Sequence, residues 1–510
     1  MDKYDSIIVG SGIGGLCCAS ILSLQGQKVL VCESHSKPGG VAHSFDIKGY
    51  KFESGPSLWS GLSNLNCNNP LGQILYLLEE NVEIIKYKKW KVILPESTFD
   101  LKVGYEPFRE RIRSLRGEKA LKEWDYFISA IQPISNFINK IPLISFSPQN
   151  LSFKEAIKLA PKLLADLKSI SMIKKGFGEI AEDYLTDTFL KNWVNLLSFL
   201  ISGMSMQDTN TAAMAKLFGE WFQPDSYLEY PKGGSETIVN ALIKGIKKKG
   251  GEIFLSSKVE KIKFDKDELS GIILKNGKEI KAKNVILNCD IWNVKGMLPD
   301  QYRKKFHLGE NTPKCGSFLH IHIGFDATDL DKLPIHTIWV EDWAKDITSE
   351  RNVAVFSIPS VLDPNMAPKG KHVLHGYTPA NEPWEIWQSQ KRGSKSYEEL
   401  KEDRCSIFLK ALREMIPDID KRIELKMLGT PLTHKKFTNT YCGSYGPAIS
   451  AKKSLFPNSK TPIKNLYICG ASTFPGIGIP AVAASGAYAA AAIIGKREYS
   501  KLLNKLEFKN

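Results

Sequence analysis

The feature that most constrains this chain is a strand, a glycine-rich turn, a helix and a second strand within its first 33 residues. The apolar strand 6–9 runs directly into the turn 10–15, which reads GSGIGG. A helix over residues 16–25 follows, and a second strand, 28–32, ends at Glu33. This order and spacing are typical of a βαβ unit that binds a dinucleotide. We therefore predict a Rossmann-type α/β domain at this end of the chain.

The residues of this unit have distinct physical roles. Gly10 permits the tight turn, Gly12 lets the backbone approach a pyrophosphate, and Gly15 lets the helix pack close to the strand. The helix N-terminus offers unpaired N–H groups to phosphates. The carboxylate of Glu33 can accept hydrogen bonds from both ribose hydroxyls, and its charge disfavours the 2′-phosphate of NADP. The cofactor-binding candidates here are Gly10, Gly12, Gly14, Gly15, Glu33 and Ser34.

Composition and net charge limit the class of protein and the kind of partner that this chain can have. The 510 residues correspond to about three average domains. A hydrophobic fraction of 43% and a charged fraction of 24% exclude a disordered chain, a collagen and a simple coiled coil. The net charge of +14 favours an anionic partner, such as a lipid surface or a phosphorylated cofactor. We expect no nucleic-acid partner, and the oligomeric state is left open.

Cysteine usage and hydropathy indicate the compartment. The nine cysteines are scattered, with no CxxC pair, which favours a reducing compartment over a disulfide scaffold. The apolar stretch 192–204 is too short to cross ~30 Å of hydrocarbon. The chain enters an apolar strand at once, so no signal or transit peptide is expected in it. We therefore expect a protein that is soluble or lies on a membrane without spanning it.

Two later segments return to the first domain. The first runs from 230 to 290 and contains a helix, a strand pair around the turn Asn276-Gly277, and a closing apolar strand. The second, 465–494, is a strand, a glycine turn and a helix of small residues.

The resulting domain division is discontinuous. Residues 1–75, 225–300 and 456–500 are predicted to form the dinucleotide-binding domain. Residues 76–224 and 301–455 are predicted to form a substrate- and membrane-facing domain. The fold class is thus α/β, with a Rossmann-type domain and a discontinuous mixed α+β substrate domain.

Two histidines lie close together in a predicted strand and are candidates for metal ligands. Residues 318–324 alternate with period two, so His320 and His322 share one face of a predicted strand. A metal site needs a third ligand, and none is nearby in sequence. We therefore predict no metal.

The glycine pair after the ribose acid carries a family resemblance. Gly39-Gly40 and the segment 49–56 (GYKFESGP) resemble FAD enzymes of the amine oxidase and phytoene desaturase superfamily. The resemblance implies non-covalent FAD, with backbone contact from Val259 to the adenine. It also implies that the second return segment holds the flavin, through Gly470, Ala471, Gly478, Ile479 and Pro480.

This sequence departs from the family pattern at two places. Val41-Ala42-His43 stands where the family commonly has an arginine near the phosphates. Ala471 stands where an aspartate often binds a ribityl hydroxyl, so only backbone contact is expected there.

The C-terminal half resembles the carotenoid isomerases more specifically. The segments that carry this similarity are 340–343, 357–364, 366–368, 372–375, 429–434 and 445–447. The resemblance implies conversion of a poly-cis carotene to the all-trans form, with FAD acting in its reduced state. The polar residues of these motifs to test first as proton donors are Glu341, His434 and Tyr445.

Three other functions remain open at this point. A desaturase or saturase would carry out net hydride transfer, and a hydratase would add water to a conjugated bond. A carotenoid- or flavin-binding protein would perform no turnover. Family motifs alone do not separate these chemistries.

A lysine-rich segment favours peripheral membrane contact. Lysines 154, 158, 162, 168, 174 and 175 lie among leucine, isoleucine and methionine, a pattern that suits a headgroup layer and equally a solvated helix face. A carotenoid substrate also requires access to lipid. The expected location is the cytoplasmic face of a cyanobacterial-type membrane, or a plastid if a transit peptide has been removed.

Overall fold

Two seven-stranded sheets organise the part of the chain that the computed structural model describes. The described residues are 3–63, 69–139, 143–145, 171–173, 175–222, 226–330, 332–450 and 456–506.

The strands of this part follow in chain order. They are β1 Lys3–Val9, β2 Val29–Cys32, β3 Ser44–Ile47, β4 Tyr50–Glu53, β5 Ile84–Tyr87, β6 Lys89–Leu94, β7 Ser97–Lys102, β8 Leu228–Pro231, β9 Glu252–Phe254, β10 Val259–Asp265, β11 Glu268–Leu274, β12 Glu279–Leu287, β13 His320–Asp326, β14 His336–Val340, β15 Val353–Ser357, β16 Lys371–Tyr377, β17 Ile423–Gly429 and β18 Leu466–Ile468.

The helices are numbered in the same way. They are α1 Ile13–Leu24, α2 Pro70–Leu77, α3 Tyr105–Asn139 (interrupted at Gly117), α4 Phe177–Tyr184, α5 Thr188–Ser202, α6 Thr211–Trp221, α7 Ser235–Lys248, α8 Ile291–Met297, α9 Asp300–Arg303, α10 Lys395–Met415, α11 Ile419–Arg422, α12 Pro431–Thr438, α13 Ile479–Ile494 and α14 Lys496–Leu503.

The first sheet places the carboxyl ends of several strands at one edge. Its order is β10-β11-β12-β1-β2-β9, with β18 beside β12. Strand β1 pairs in parallel with both β2 and β12, and its apolar residues are buried on both faces. The structure confirms the α/β class, and the strands come from the three separated segments expected for the first domain. The exact domain boundaries stay a prediction.

Small residues allow two helices to pack closely on this sheet. A Cβ added at Gly486 of α13 would lie 2.1 Å from the carbonyl oxygen of Gly14 in α1. A Cβ at Gly15 would lie 2.3 Å from the carbonyl oxygen of Gly10. The alanine- and glycine-rich composition of α13 is therefore a packing requirement, since larger side chains would push it off α1.

The second sheet has two chemically different faces. Its order is β17-β13-β16-β15-β14-β6-β7. Helix α10 covers one face, where Ile321, Phe356 and Leu374 are buried. We call the opposite face the histidine face, because it carries His320, His322 and His375.

Elements of both domains cover the histidine face. Aromatic residues of α3 and α5 pack on its β14–β15 end. At its β13 end, the ring of Tyr50 in β4 lies 2.7 Å from the position a Cβ would take at Gly324. The β3–β4 hairpin therefore joins this face to the first domain.

The sequence pattern of residues 179–204 is helical, and the structure divides this segment into two helices. Helix α4 ends at Tyr184 and α5 begins at Thr188, with the Asp187 side chain accepting from the Leu190 N–H at 3.1 Å. Glu123 accepts hydrogen bonds from the N–H groups of Thr186 and Asp187, which fixes the break. A second segment with a helical sequence pattern, 153–172, lies mostly outside the described residues.

Within the described ranges, every helix is too short or too polar to cross a bilayer.

A buried ion pair on α10 generates a stability prediction. Arg404 is 8% exposed and donates to Glu382 at 2.7 and 2.9 Å, while Glu382 is 1% exposed. Arg404→Met should lower the free energy of unfolding by about 3–5 kcal/mol, because it leaves a buried carboxylate without a counter-charge. Denaturant unfolding followed by circular dichroism would measure this loss.

The same helix offers a matched control. Arg413 pairs with Asp420 at 2.6 Å at the surface. Arg413→Met should change stability little, because exposed ion pairs are weak. Equal losses in the two variants would contradict the argument.

Candidate functional site

A cavity of about 450 Å³ lies where the first sheet ends. It opens at the carboxyl ends of β1, β2 and β12, the edge where open α/β sheets bind ligands. Its lining includes six of the predicted cofactor residues, namely Gly10, Gly12, Glu33, Ser34, Gly40 and Val259.

Glu33 is held in a fixed orientation in this cavity. Its Oε2 accepts from the Ser11 N–H at 2.9 Å and from the Ser11 hydroxyl at 2.6 Å. Its Oε1 accepts from the His35 N–H at 2.7 Å and from the Ser34 hydroxyl at 3.1 Å. The two backbone donors preorganise the carboxylate at the wall of the cavity.

The two glycine turns are in contact. The N–H of Gly39 donates to the Ser11 carbonyl at 3.1 Å, and a Cβ at Gly40 would lie 3.2 Å from Gly12 Cα. Both Gly39 and Gly40 have positive φ, 111° and 62°, which favours glycine there. His43, in the region where the family commonly has arginine, bonds the Gly40 carbonyl at 2.7 Å, and burial lowers the pKa of its imidazole.

Asn288 organises the glycines and was missed by sequence reasoning. Its Nδ2 donates to the Gly10 carbonyl at 3.3 Å. Its side-chain amide would lie within 3.0 Å of a Cβ at four glycines, namely Gly12, Gly14, Gly15 and Gly470. The glycines thus make room for this amide as well as for a phosphate. Asn288 directly follows the apolar strand β12, at the edge of the sheet where ligands bind, and this position could have identified it from the sequence.

The second return segment meets the same turn. Gly470 has φ +98°, its N–H donates to the Ser485 hydroxyl at 3.0 Å, and its Cα would lie 3.1 Å from a Cβ at Gly14. Ala471 is partly buried beside it. Gly478 caps α13 with φ +106° and has open space around it, and Ile479 and Pro480 form the first turn. These residues do not line the cavity itself, but the segment packs on the glycine turn beside it, with the Val482 carbonyl oxygen 3.1 Å from a Cβ at Gly14.

A row of rings leads from the cavity across the histidine face. Successive ring centroids are 4.2–6.2 Å apart. We call this series the ring row, and its members in order are His43, Phe45, His322, His320, His434, Phe318 and Tyr445.

Two of the three proton-donor candidates belong to this row. His434 Nε2 lies 3.2 Å from the Phe318 carbonyl oxygen, and burial lowers the pKa of its imidazole to about 3. Tyr445 donates to the Leu200 carbonyl at 3.5 Å, and burial raises the pKa of its phenol to about 12. Both side chains are therefore uncharged at neutral pH.

Glu341, the third candidate, lies elsewhere. It follows β14 on the side covered by α10, where its carboxylate pairs with Lys410 at 2.5 Å. The structure does not bring it together with His434 and Tyr445.

The fold also supplies the third histidine that the sequence did not offer nearby. His375 of β16 lies directly opposite His322 of β13 in the antiparallel register. Cross-strand partners 53 residues apart cannot be read from local spacing.

The geometry of Glu33 generates a binding prediction. Glu33→Ala should weaken FAD binding about 10- to 100-fold, since charge-assisted hydrogen bonds contribute roughly 1.5–3 kcal/mol. Flavin fluorescence titration of the apoprotein would measure the affinity. Glu252→Ala is the control, because Glu252 lies on neighbouring β9 and bonds Tyr4 instead of lining the cavity. Unchanged affinity in Glu33→Ala would exclude Glu33 as the ribose ligand.

Comparison with known proteins agrees with this geometry. The sequence matches the flavin containing amine oxidoreductase family over residues 13–494. The chloroplastic prolycopene isomerase of Arabidopsis thaliana is 30% identical, over 98% of this chain and 85% of the relative. The all-trans-retinol 13,14-reductase of Danio rerio is 27% identical, over 92% of this chain and 82% of the relative.

A solved structure confirms the fold class. Putrescine oxidase bound to putrescine superposes with a TM-score of 0.62 at 14% identity, covering 97% of this chain and all of that chain. The glycine turns, the Glu33 carboxylate and the N-terminus of α1 fit a flavin cofactor. The chain belongs to the flavin-containing amine oxidoreductase family, and it is similar to prolycopene isomerases along nearly its whole length.

Proposed function

We propose that this chain is an FAD-dependent carotenoid isomerase that converts a prolycopene-like poly-cis carotene to its all-trans form in carotenoid biosynthesis. The observation that carries the proposal is the ring row, which joins the dinucleotide cavity to Tyr445. The similarity to prolycopene isomerases supports the same activity.

The ring row suits a hydrocarbon polyene. Such a substrate has no polar group, so its orientation depends on apolar and ring contacts. Burial lowers the pKa of His322 to about 4 and that of His434 to about 3, so these imidazoles stay neutral beside it.

The proposal gives roles to the residues at the cavity and at the Tyr445 end of the ring row. We assign Gly10, Gly12, Glu33, Val259 and the N-terminus of α13 to holding FAD without a covalent link. Bound in its reduced form, FAD would supply reversible donation of electron density or a proton to a conjugated double bond. His434 and Tyr445 would orient the polyene through ring contacts, and they remain the candidate proton donors. The aromatic cover over the histidine face would exclude water.

A saturase is the second candidate. The similarity to a retinol reductase favours it, because that name describes reduction of one double bond of a polyene. The two activities share the cofactor and differ in whether the substrate gains hydrogen.

The mass of the product separates these reactions. With poly-cis carotene and a catalytic amount of reduced flavin under anaerobic conditions, we expect many all-trans product molecules of unchanged mass. Isomerisation moves no net electrons, so no stoichiometric reductant should be consumed. Liquid chromatography with mass spectrometry would read out both isomer and mass.

Other masses would reassign the chain. A product two units heavier indicates a saturase, one two units lighter formed only with an electron acceptor indicates a desaturase, and one about 18 units heavier indicates a hydratase. Retained FAD with no product from any carotene would indicate a binding protein.

We further propose peripheral membrane attachment, at the cytoplasmic face of a cyanobacterial-type membrane or in a plastid. The support is the lysine-rich segment 154–177, most of which lies outside the described residues, together with the carotenoid substrate. Of the described residues in this segment, Met172 and Ile173 pack against the hydrophobic core that contains α3, α5 and α6.

This attachment predicts salt-sensitive binding to anionic vesicles. Replacing Lys168, Lys174 and Lys175 together by glutamine should reduce binding in a flotation assay, because each basic side chain near an anionic surface contributes about 1 kcal/mol. The control replaces the exposed lysines Lys261, Lys266 and Lys275 by glutamine, with the same change in net charge. Equal binding to neutral and anionic vesicles would exclude the electrostatic contribution.

A further inference from the structure

Three imidazoles converge on the histidine face. His320 and His322 project from β13, and His375 projects from β16 directly opposite His322. One ring nitrogen from each of the three lies within 4.8 Å of the others. The three rings are nearly parallel. The ring centroid of His375 lies 4.8 Å from that of His320 and 4.7 Å from that of His322.

Hydrogen bonding leaves coordinating capacity in this cluster. His320 Nδ1 and His375 Nε2 lie 2.7 Å apart, so the two rings share one proton between facing nitrogens. The other nitrogen of His375, Nδ1, is buried and has no hydrogen-bond partner among the residues that the structure describes. A buried nitrogen without a partner is costly unless something else satisfies it.

The protonation state also suits coordination. Burial lowers the pKa of His322 to about 4 and lowers the pKa values of His320 and His375 well below the usual range. All three are neutral at pH 7, and neutral imidazole is the form that binds metal. Neighbouring histidines lower these pKa values further, whereas the hydrogen bond to the Glu53 carbonyl raises the pKa of His322.

The surroundings supply an orienting partner. His322 Nε2 lies 3.0 Å from the carbonyl oxygen of Glu53, the kind of second contact that fixes the ring orientation of a metal ligand. The three imidazoles are buried, so bulk water does not compete for their ring nitrogens.

We propose that His320, His322 and His375 form a tri-histidine site for a divalent transition-metal ion. The donor set is imidazole alone, without a thiolate or carboxylate side chain in the group, which selects zinc-like first-row ions over Ca²⁺ or Mg²⁺. Three protein ligands leave one position open, as in sites that accept a small ligand. Metal entry would replace the His320–His375 hydrogen bond, and the rings would reorient to bring their nitrogens to coordination distance.

Metal binding by the full-length flavin-loaded protein tests the site. After chelator treatment and dialysis against Zn²⁺, we expect one tightly bound ion per chain by elemental analysis. His375→Gln and His322→Gln should each reduce this to near zero. His336→Gln should retain it, since His336 is buried in the same sheet and its nitrogens already contact Ser357 and Tyr87.

Cobalt substitution of the unmodified protein keeps the test independent of variant folding. Bound Co²⁺ should show ligand-field bands without a thiolate charge-transfer band, because the ligands are imidazoles. Flavin content and thermal melting would verify that each variant is folded. Zinc retained by folded His375→Gln and His322→Gln, no zinc bound by the unmodified protein, or a thiolate band would each overturn the proposal.

Discussion

The contact between the Asn288 amide and the turn 10–15 is the interaction on which the rest of the structure depends. It joins the ends of β1 and β12 and reaches Gly470 of the second return segment. Because these glycines have no Cβ, the backbones of three segments that are distant in sequence can approach one another closely. The cavity, the orientation of Glu33 and the approach of α13 to α1 all follow from that meeting.

In the second sheet, side chains alternate between two faces, so that apolar residues pack on one face and histidines lie on the other. On β13, odd-numbered residues such as Ile321 and Ile323 are buried under α10, whereas His320 and His322 face the first domain. A shift of one residue in register would exchange these two sets. The aliphatic packing under α10 therefore also determines which side of the sheet carries the imidazoles.

Local sequence patterns predicted the elements of the first domain well. They did not predict contacts that depend on the pairing of distant strands. The glycine turn, Glu33 and the small-residue helix are contiguous signals, and strand β1 and helices α1 and α13 form over or near the expected residues. The family resemblance placed His434 and Tyr445 in shared motifs, and both lie in the ring row. Glu341 stood in an equally similar motif but faces Lys410, because side-chain direction depends on which face a strand turns to its partner. Asn288 has a local signal, its position after an apolar strand, but its contact with Gly10 depends on the pairing of β12 with β1. His375 acts through strand pairing alone, which no local window contains.

The order of the strands has a consequence for synthesis of the protein. Strands β1 and β2 emerge first from the ribosome, whereas β18 and α13, which complete the same sheet and cover α1, are made last. A nascent chain therefore carries the glycine turn for more than 400 residues of elongation without the segment that packs beside it. The first sheet is complete only when the last segment has been made, and a truncated product lacks the helix that covers α1.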